Sequence, residues 1–580
     1  MQRWRELIVV QWALLLALVV ALPWGGRGFL LTYDMVWVPR WELSRDDLWG
    51  LGTALPRAVP SDAVVAVLST VLDPAFLQRL VLIGAMVLGG VGAARLVAHL
   101  GLAPRLVAAT YALWNPFVAE RLVLGQWPVL VALGCLPWIA VALRNPRDVR
   151  WIGLTLALAG TALSAATGVI GLVAAVVLGL RAGVVRIALL AALLNAPWVV
   201  AGVVHAGALA SDPSAVRLFD AQPEGPFGRL GAVLALGGVW NTEVVPTSRT
   251  TVIAAVLVAV LWAVMLVGAV AMWRTQRALL AALGVLGAIG LAIACWGWLA
   301  PDLLEDAIRW RPEVALLRDG TRYLALLVPL QVVALSHGVA ALTAALSASG
   351  SRARDVWWRL VPAGIVLALP IAALPDLAHG VGNRVTPVEY PADWREARSA
   401  VAASTVPGDL LVLPFSAYRA PEWNEGRTVL APAGRYFDRT TVVDDRLPIS
   451  EQGGESGGGV SRVIAGEDPR AARIAALLEV PTSGPAQLAA EGIGLVVLEP
   501  SGAAGTATAP DVLPPVLAGA RELPLAPDGL RVFEIDGAVE REVSDVDRYA
   551  VTAAWGVAAL TVGLALLMLV RRAGRRLLTR

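Results

Sequence analysis

Runs of about 20 predominantly apolar residues recur along this 580-residue chain, and that recurrence decides the solvent in which it folds. At 1.5 Å per residue, a helix of about that length crosses the roughly 30 Å of hydrocarbon in a bilayer. Composition agrees, with 57% hydrophobic and 16% charged residues, against roughly 25% charged in a soluble domain. Twelve crossings are predicted, at about 8–24, 77–97, 105–118, 128–143, 151–165, 167–181, 185–205, 251–272, 278–297, 323–345, 359–376 and 549–570. The fifth and sixth are short and read either as a pair with a tight turn near Ser164 and Gly168 or as one long tilted helix. The first resembles a signal sequence in its Arg3 and Arg5, but Pro23-Trp24-Gly25-Gly26 offers no small-x-small cleavage site, so it reads as an uncleaved helix.

Charge gives the predicted orientation. Segments 1–7, 95–106, 144–150, 181–186, 274–277, 352–359 and 571–580 then face one side and hold 19 Arg with three acids, Glu6, Asp148 and Asp355. The rest of the chain holds 28 Arg and 42 acids. Basic loops stay in the cytoplasm, so both termini are expected there and every large loop outside, as in a multi-pass protein of the bacterial inner membrane. The net charge of +2 and the lack of a basic tract argue against a nucleic-acid partner. Cys135 and Cys295 form no CxxC, and His99, His205, His337 and His379 are dispersed, so no disulfide framework or zinc site is indicated.

The expected organisation is a transmembrane module over 1–376 with a first external loop at 25–76, an extracytoplasmic domain over 377–548, and a last helix with a basic tail over 549–580. The middle region alternates strand-like runs, Leu410 to Phe415, Gly494 to Leu498 and Leu530 to Ile535, with helix-like ones, Asp393 to Ala402 and Pro469 to Leu478. That alternation predicts a small α/β domain. Its Gly453 to Gly459 segment reads as a flexible loop, without the Gly-Lys-Ser/Thr of a phosphate-binding loop.

Polar chemistry collects in the external segments. Leu30-Leu31-Thr32-Tyr33-Asp34-Met35-Val36-Trp37 sets Asp34 among apolar and aromatic neighbours just past the first span. A partly desolvated carboxylate is a better proton acceptor than a free surface one; a capping or solvating loop Asp is the plainer alternative. Asp46-Asp47 reads as the first turn of a helix capped by Ser44. Asn115-Pro116 breaks the helix ahead of Glu120-Arg121, and Trp127 follows. Ionisable groups at that depth must pair or line a wet cavity, and adjacent helical residues splay apart, so Glu120 and Arg121 are expected to have separate partners. One loop ends in Trp240-Asn241-Thr242-Glu243, and another in Arg318-Asp319-Gly320-Thr321-Arg322. Arg318 and Arg322, four apart, would share a helix face and clamp an anionic headgroup if the helix starts early enough; ordinary lipid contact, or pairing with Asp319 and Asp302, is the alternative. In the external domain, Trp394, Tyr418, Trp423 and Tyr436 with Asp444-Asp445 suit either carbohydrate binding or a core.

Tyr33-Asp34 past the first span, the long first loop, Asn115 to Trp127 and Leu317 to Tyr323 together resemble the GT-C superfamily of membrane glycosyltransferases. More narrowly, residues 1–376 look like the GT-C module of actinobacterial α-(1→3)-arabinofuranosyltransferases and like YfhO-type envelope proteins. The resemblance implies a GT-C-like polytopic helical fold and transfer of a sugar from a polyprenyl-phosphate donor to an envelope glycan or lipid acceptor. Asp34 would then be the general base, Glu120 a second acid, and Arg318 and Arg322 the holders of the donor phosphate. Arg121, Trp127, Asn241 and Glu243 complete the expected substrate-binding set. Asp34 has no acidic doublet, which speaks against metal dependence, yet Mg or Mn held jointly by Asp34 and Glu120 is left open. A lipid or glycan transporter and a non-catalytic scaffold for envelope assembly are the rival classes, although polar residues gathered at one face rather than mid-membrane suit transport poorly.

Overall fold

A computed structural model describes residues 2–206, 212–348, 355–450, 461–500, 513–526 and 529–578, so the Gly453 to Gly459 segment lies outside it. Helices lie on all twelve predicted stretches, but not all have the length or composition of a span. Among the described residues six helices are long and apolar enough to cross a membrane: Pro74–Leu96, Val184–Val204, Val252–Thr275, Arg277–Leu299, Val328–Leu346 and Asp545–Arg575. A seventh is added if Val361–Ala373 and Pro375–Asn383, bent by 70°, form one broken span. The shortfall from twelve has local causes. Gln2–Val20 carries Arg3, Arg5 and Glu6 in its first turns. The predicted 105–118 segment stops at Leu113, because the Asn115 side chain caps a new short helix, Pro116–Val123, by accepting from Val118 N. Trp151–Thr161 and Ala165–Gly179 are a pair of short helices separated by a Ser164 cap, not one tilted helix.

Close helix packing rests on small residues where backbones meet. Gly268 on Val252–Thr275 faces Ala334 O, and Gly338 on Val328–Ala348 faces Val264 O, at distances where any added Cβ would collide. At one end of the bundle Glu6 pairs with Arg105 at 2.7 Å and with Arg95 at 3.7 Å, and Gln276 bonds His99 and His337. The Arg-rich segments 1–7, 95–106 and 274–277 therefore meet at one end.

The remaining loops gather around a small α/β unit. Its strands, in chain order, are β1 (Phe29–Leu30), β2 (Pro387–Val388), β3 (Asp409–Leu413), β4 (Tyr418–Arg419), β5 (Val429–Leu430), β6 (Thr441–Val442), β7 (Leu447–Ser450), β8 (Ser461–Ile464), β9 (Ile493–Leu498), β10 (Arg521–Glu522) and β11 (Arg531–Glu534). The principal sheet has the order β10-β11-β9-β3-β6, with β3 parallel to both β9 and β6, and the three strand-like runs of the sequence form its centre. Alternation in β3 and β9 sorts the core. Leu410, Val412, Leu495 and Val497 join the cluster that continues into the membrane helices, with Trp394, Ala397 and Val401 of the helix Ala392–Ala403. Leu411, Leu413, Val496 and Leu498 face the opposite way, onto Ala471, Ile474 and Leu488 of the helices Pro469–Glu479 and Pro485–Ala490.

This unit is sutured to the first loop. β1 pairs antiparallel with β2, and Tyr33 bridges to Val429 of β5. Arg45 donates to the carbonyls of Phe437 and Gly434, and Arg435 to Asp62 at 2.6 Å. The chain reaches β2 from the membrane through a left-handed turn in which His379, Val381 and Asn383 all have positive φ. Such a conformation is costly for a β-branched residue, and here Val381 is buried in the common core.

Candidate functional site

Asp34 sits in a tight turn held from both sides. Met35 N donates to Thr32 O at 2.8 Å, and Tyr33 takes φ 38°. Below the turn, Thr32 Oγ1 donates to Val123 O at 2.8 Å and Asp34 N to Leu124 O at 3.0 Å. Above it, Tyr33 N donates to Thr428 O and Leu430 N to Tyr33 O, at 2.7 and 2.8 Å. Gly125, with φ +71°, lies so close that a Cβ would come within 2.3 Å of Met35 N and Thr32 O. Only glycine fits both the conformation and the space.

The half-buried carboxylate has a partner on each oxygen. Tyr418 OH, from β4, donates to Oδ1 at 2.7 Å, and Gln126 Nε2 donates to Oδ2 at 3.2 Å. From Gln126 the network runs inward: Arg121 donates to Gln126 Oε1 at 2.8 Å and to Thr321 Oγ1 at 2.5 Å. Thr321 donates to Asp319 at 3.0 Å, and Asp319 Oδ2 lies 2.8 Å from Arg322 Nε and 3.7 Å from Arg121. Burial works against an ionised Asp319, but Arg322 and Arg121 outweigh it and hold the carboxyl below its ordinary range. Burial likewise opposes the charge of Arg322, and Asp319 and Asp34 restore it, so the two carboxylates and this guanidinium act on one another. Tyr418 is pushed well above the ordinary phenol value by burial and by the Asp34 carboxylate, which keeps its proton available as a donor.

Arg318 and Arg322 do not share an α-helical face as the spacing allowed. A 3-10 stretch, Gly320–Leu326, precedes the helix Val328–Ala348, and Arg318 lies outside it. Arg318 instead lies 3.5 Å from Glu467 and over the Phe219 ring at 4.9 Å, while Arg57 of the first loop meets the other oxygen of Glu467 at 2.6 Å. Each cation thus has a protein carboxylate, and Asp302 pairs with Arg217.

Glu120 and Arg121 splay as adjacent helical residues must. Glu120 turns to Glu224 and Arg249, which pair with each other at 3.0 Å in the interior. Burial and the neighbouring Glu224 push the Glu120 carboxyl well above its usual range. Asp34 and Glu120 have no hydrogen-bond partner in common, and among the described residues no group of three or more His, Cys, Asp or Glu is placed to hold a metal ion.

The remaining expected residues divide between support and packing. Glu243 Oε2 accepts from Tyr33 OH at 2.7 Å, and Asn241 Oδ1 accepts from Glu243 N at 3.0 Å, so both brace the residue preceding Asp34. Burial and Glu243 push the Tyr33 phenol up to about 12. Trp127 is buried against Trp37, with ring centroids 5.7 Å apart. In the α/β unit Trp394 and Tyr436 are buried in an aromatic cluster with Tyr390 and Phe437, with Trp423 packed against Tyr390 and Trp394, so these rings build a core and not an exposed sugar platform. Asp444 pairs with Arg446, and Asp445 accepts from the amides of Glu467 and Asp468. Ser44 does not cap the Asp46–Trp49 helix; its hydroxyl donates to Glu42, Arg45 stands at the cap, and Asp46 pairs with Arg548.

Several participants escaped the sequence reading. Gln126 and Thr321 carry no distinguishing spacing, whereas Asp319, the alternative partner offered for Arg318 and Arg322, does pair with Arg322. Arg57, Glu224, Arg249 and Glu467 gave no local signal. Tyr418 reads in the sequence as one aromatic among several.

No family model matches this sequence, and no curated protein does. Among solved structures, the chain is similar to the arabinofuranosyltransferase AftD from mycobacteria, with a TM-score of 0.55 and 17% identity over 94% of this chain. A mutant of that protein superposes at a TM-score of 0.54 with 16% identity over 93% of this chain. The match covers 40% of the first relative's length and 42% of the second's. At this identity the likeness is one of fold alone.

Proposed function

We propose that this chain is a GT-C glycosyltransferase that moves a sugar from a polyprenyl-phosphate donor to an extracytoplasmic envelope glycan or lipid, with Asp34 as general base. The observation that carries the reading is the hydrogen-bonded network joining Asp34 to Arg121 and Arg322 where the helical bundle meets the α/β unit. A carboxylate and guanidinium groups at one boundary suit inverting transfer.

In the proposed step the acceptor hydroxyl gives its proton to Asp34 as its oxygen bonds to the sugar C1. The C1–O bond to the lipid phosphate breaks at the same time, and its electrons leave with the phosphate. A phosphate held by Arg318 and Arg322 departs without needing a proton, and the nearby carboxylates favour positive charge developing on the sugar ring. Arg57 would join Arg318 through the Glu467 that these two share. Arg121 acts through Gln126 to orient Asp34; Asn241 and Glu243 act through Tyr33; Trp127 backs the turn; Glu120 contributes from behind the site. No step is routed through a metal ion.

The twelve-crossing topology, the division at 376 and 548, cytoplasmic termini and inner-membrane residence belong to the same proposal and rest on the Arg bias between loops. The test is transfer by purified protein from a panel of radiolabelled polyprenyl-phosphate sugars to envelope acceptors, run beside Asp34→Asn. Transfer that disappears in the variant supports the reading; no turnover with any donor, from protein shown to be folded, would sink it in favour of a scaffold or transporter.

A further inference from the structure

The Asp34 carboxylate already receives a hydroxyl. Tyr418 OH donates to Oδ1 at 2.7 Å, the same kind of hydrogen bond an acceptor alcohol must make before its proton is removed. Oδ2 is taken by Gln126, which Arg121 fixes in turn, so Oδ1 is the oxygen whose partner comes from the α/β unit and not from the helical bundle. Tyr418 reaches it from β4, whose neighbour Arg419 is buried and anchored to Pro414 O and Glu499. β4 pairs with β5, and β5 holds the Tyr33 backbone beside Asp34. The phenol is thus delivered by a hairpin that abuts the turn, and its hydroxyl is the group hydrogen-bonded to Oδ1.

Resting on the reading of Asp34 as a base, we infer that the Tyr418 hydroxyl occupies the acceptor-hydroxyl subsite and competes for it: a carbohydrate hydroxyl binds by displacing the phenol from Asp34 Oδ1. The subsite lies between the Asp34 turn and the β4–β5 hairpin, and its ligand class is a sugar alcohol. The proton that Asp34 later accepts comes from this incoming hydroxyl, while Tyr418 keeps its own.

Tyr418→Phe removes the competitor and keeps the ring. Binding of methyl pentosides and methyl hexosides to the full-length protein in nanodiscs, followed by saturation-transfer NMR, is expected to tighten about tenfold, the value of one hydrogen bond to a charged group. Asp34→Asn should weaken glycoside binding in both backgrounds. Binding that is equal or weaker in Tyr418→Phe, with unchanged thermal unfolding, overturns the proposal. Transfer kinetics separate this from the reading beneath it. A lower acceptor KM in Tyr418→Phe at constant donor KM supports competition. Wild-type transfer with acceptor KM unmoved by the substitution removes the subsite and leaves the enzyme. Tighter glycoside binding without transfer from any lipid-phosphate donor keeps the subsite and removes the glycosyltransferase.

Discussion

Tyr418 and Asp34 are 384 residues apart in the chain and 2.7 Å apart in the fold. One belongs to a sheet domain and the other to the first turn outside the helical bundle, so the candidate base is completed only when the two parts close on each other. This makes the boundary between them the place to test.

Asp34→Asn keeps the size of the side chain and its ability to accept from Gln126, but takes away the proton acceptor. Expression and membrane insertion should be retained and transfer should fall by about 10²–10⁴-fold. Quantified product from equal amounts of folded protein decides the matter, and wild-type rates in the variant would end the assignment.

Arg121 and Arg318 should separate stability from binding. Arg121 is 1% exposed and shares Asp319 with Arg322, so Arg121→Met strands polar partners in the interior and should cost about 3 kcal/mol or more. Arg318 meets Glu467 at 3.5 Å, and Glu467 keeps Arg57, so Arg318→Ala should cost less stability than Arg121→Met while raising donor KM. Unfolding in detergent and donor titrations give the two numbers; comparable unfolding losses in both variants would contradict this division.

Gly125→Ala tests how tightly the Asp34 turn is specified. The added Cβ meets backbone atoms of Thr32 and Met35 at 2.3 Å, and φ +71° is strained for alanine. A loss of about 1–3 kcal/mol is expected, along with a fall in turnover larger than stability explains, because the turn carrying Asp34 must shift. Unchanged melting and activity would show that the turn tolerates movement.

Glu120 gives a signed pH dependence. Burial and Glu224 raise its folded value, so the folded chain holds this proton more tightly than the unfolded one. The stability it contributes is complete below the unfolded value of about 4.3 and is lost as pH rises toward the raised folded value. Glu120→Gln cannot ionise, so the variant should gain on wild type as pH climbs from about 4 toward the raised folded value. A stability difference that does not vary with pH would refute the buried neutral form.

Local periodicity made much of this architecture legible before any coordinates. Apolar runs determined where helices form, because every backbone group in a membrane helix is satisfied within its own segment. The runs at Leu410, Gly494 and Leu530 likewise marked the three central strands, since residues buried on both sheet faces read as continuous apolar sequence. Where each helix ends was less legible: Asn115 and Ser164 act as caps, and a cap depends on a single side chain that leaves hydropathy unchanged. Asp34, Arg121 and Arg322 could be singled out as charges out of place beside a membrane, but nothing local says whom they meet. Tertiary closure alone decided that Tyr418 reaches Asp34, that Glu120 turns to Glu224, and that Arg318 and Arg57 share Glu467. Hydrogen bonds and ion pairs are satisfied by whichever group arrives at about 3 Å, and which group arrives is a property of the packed whole.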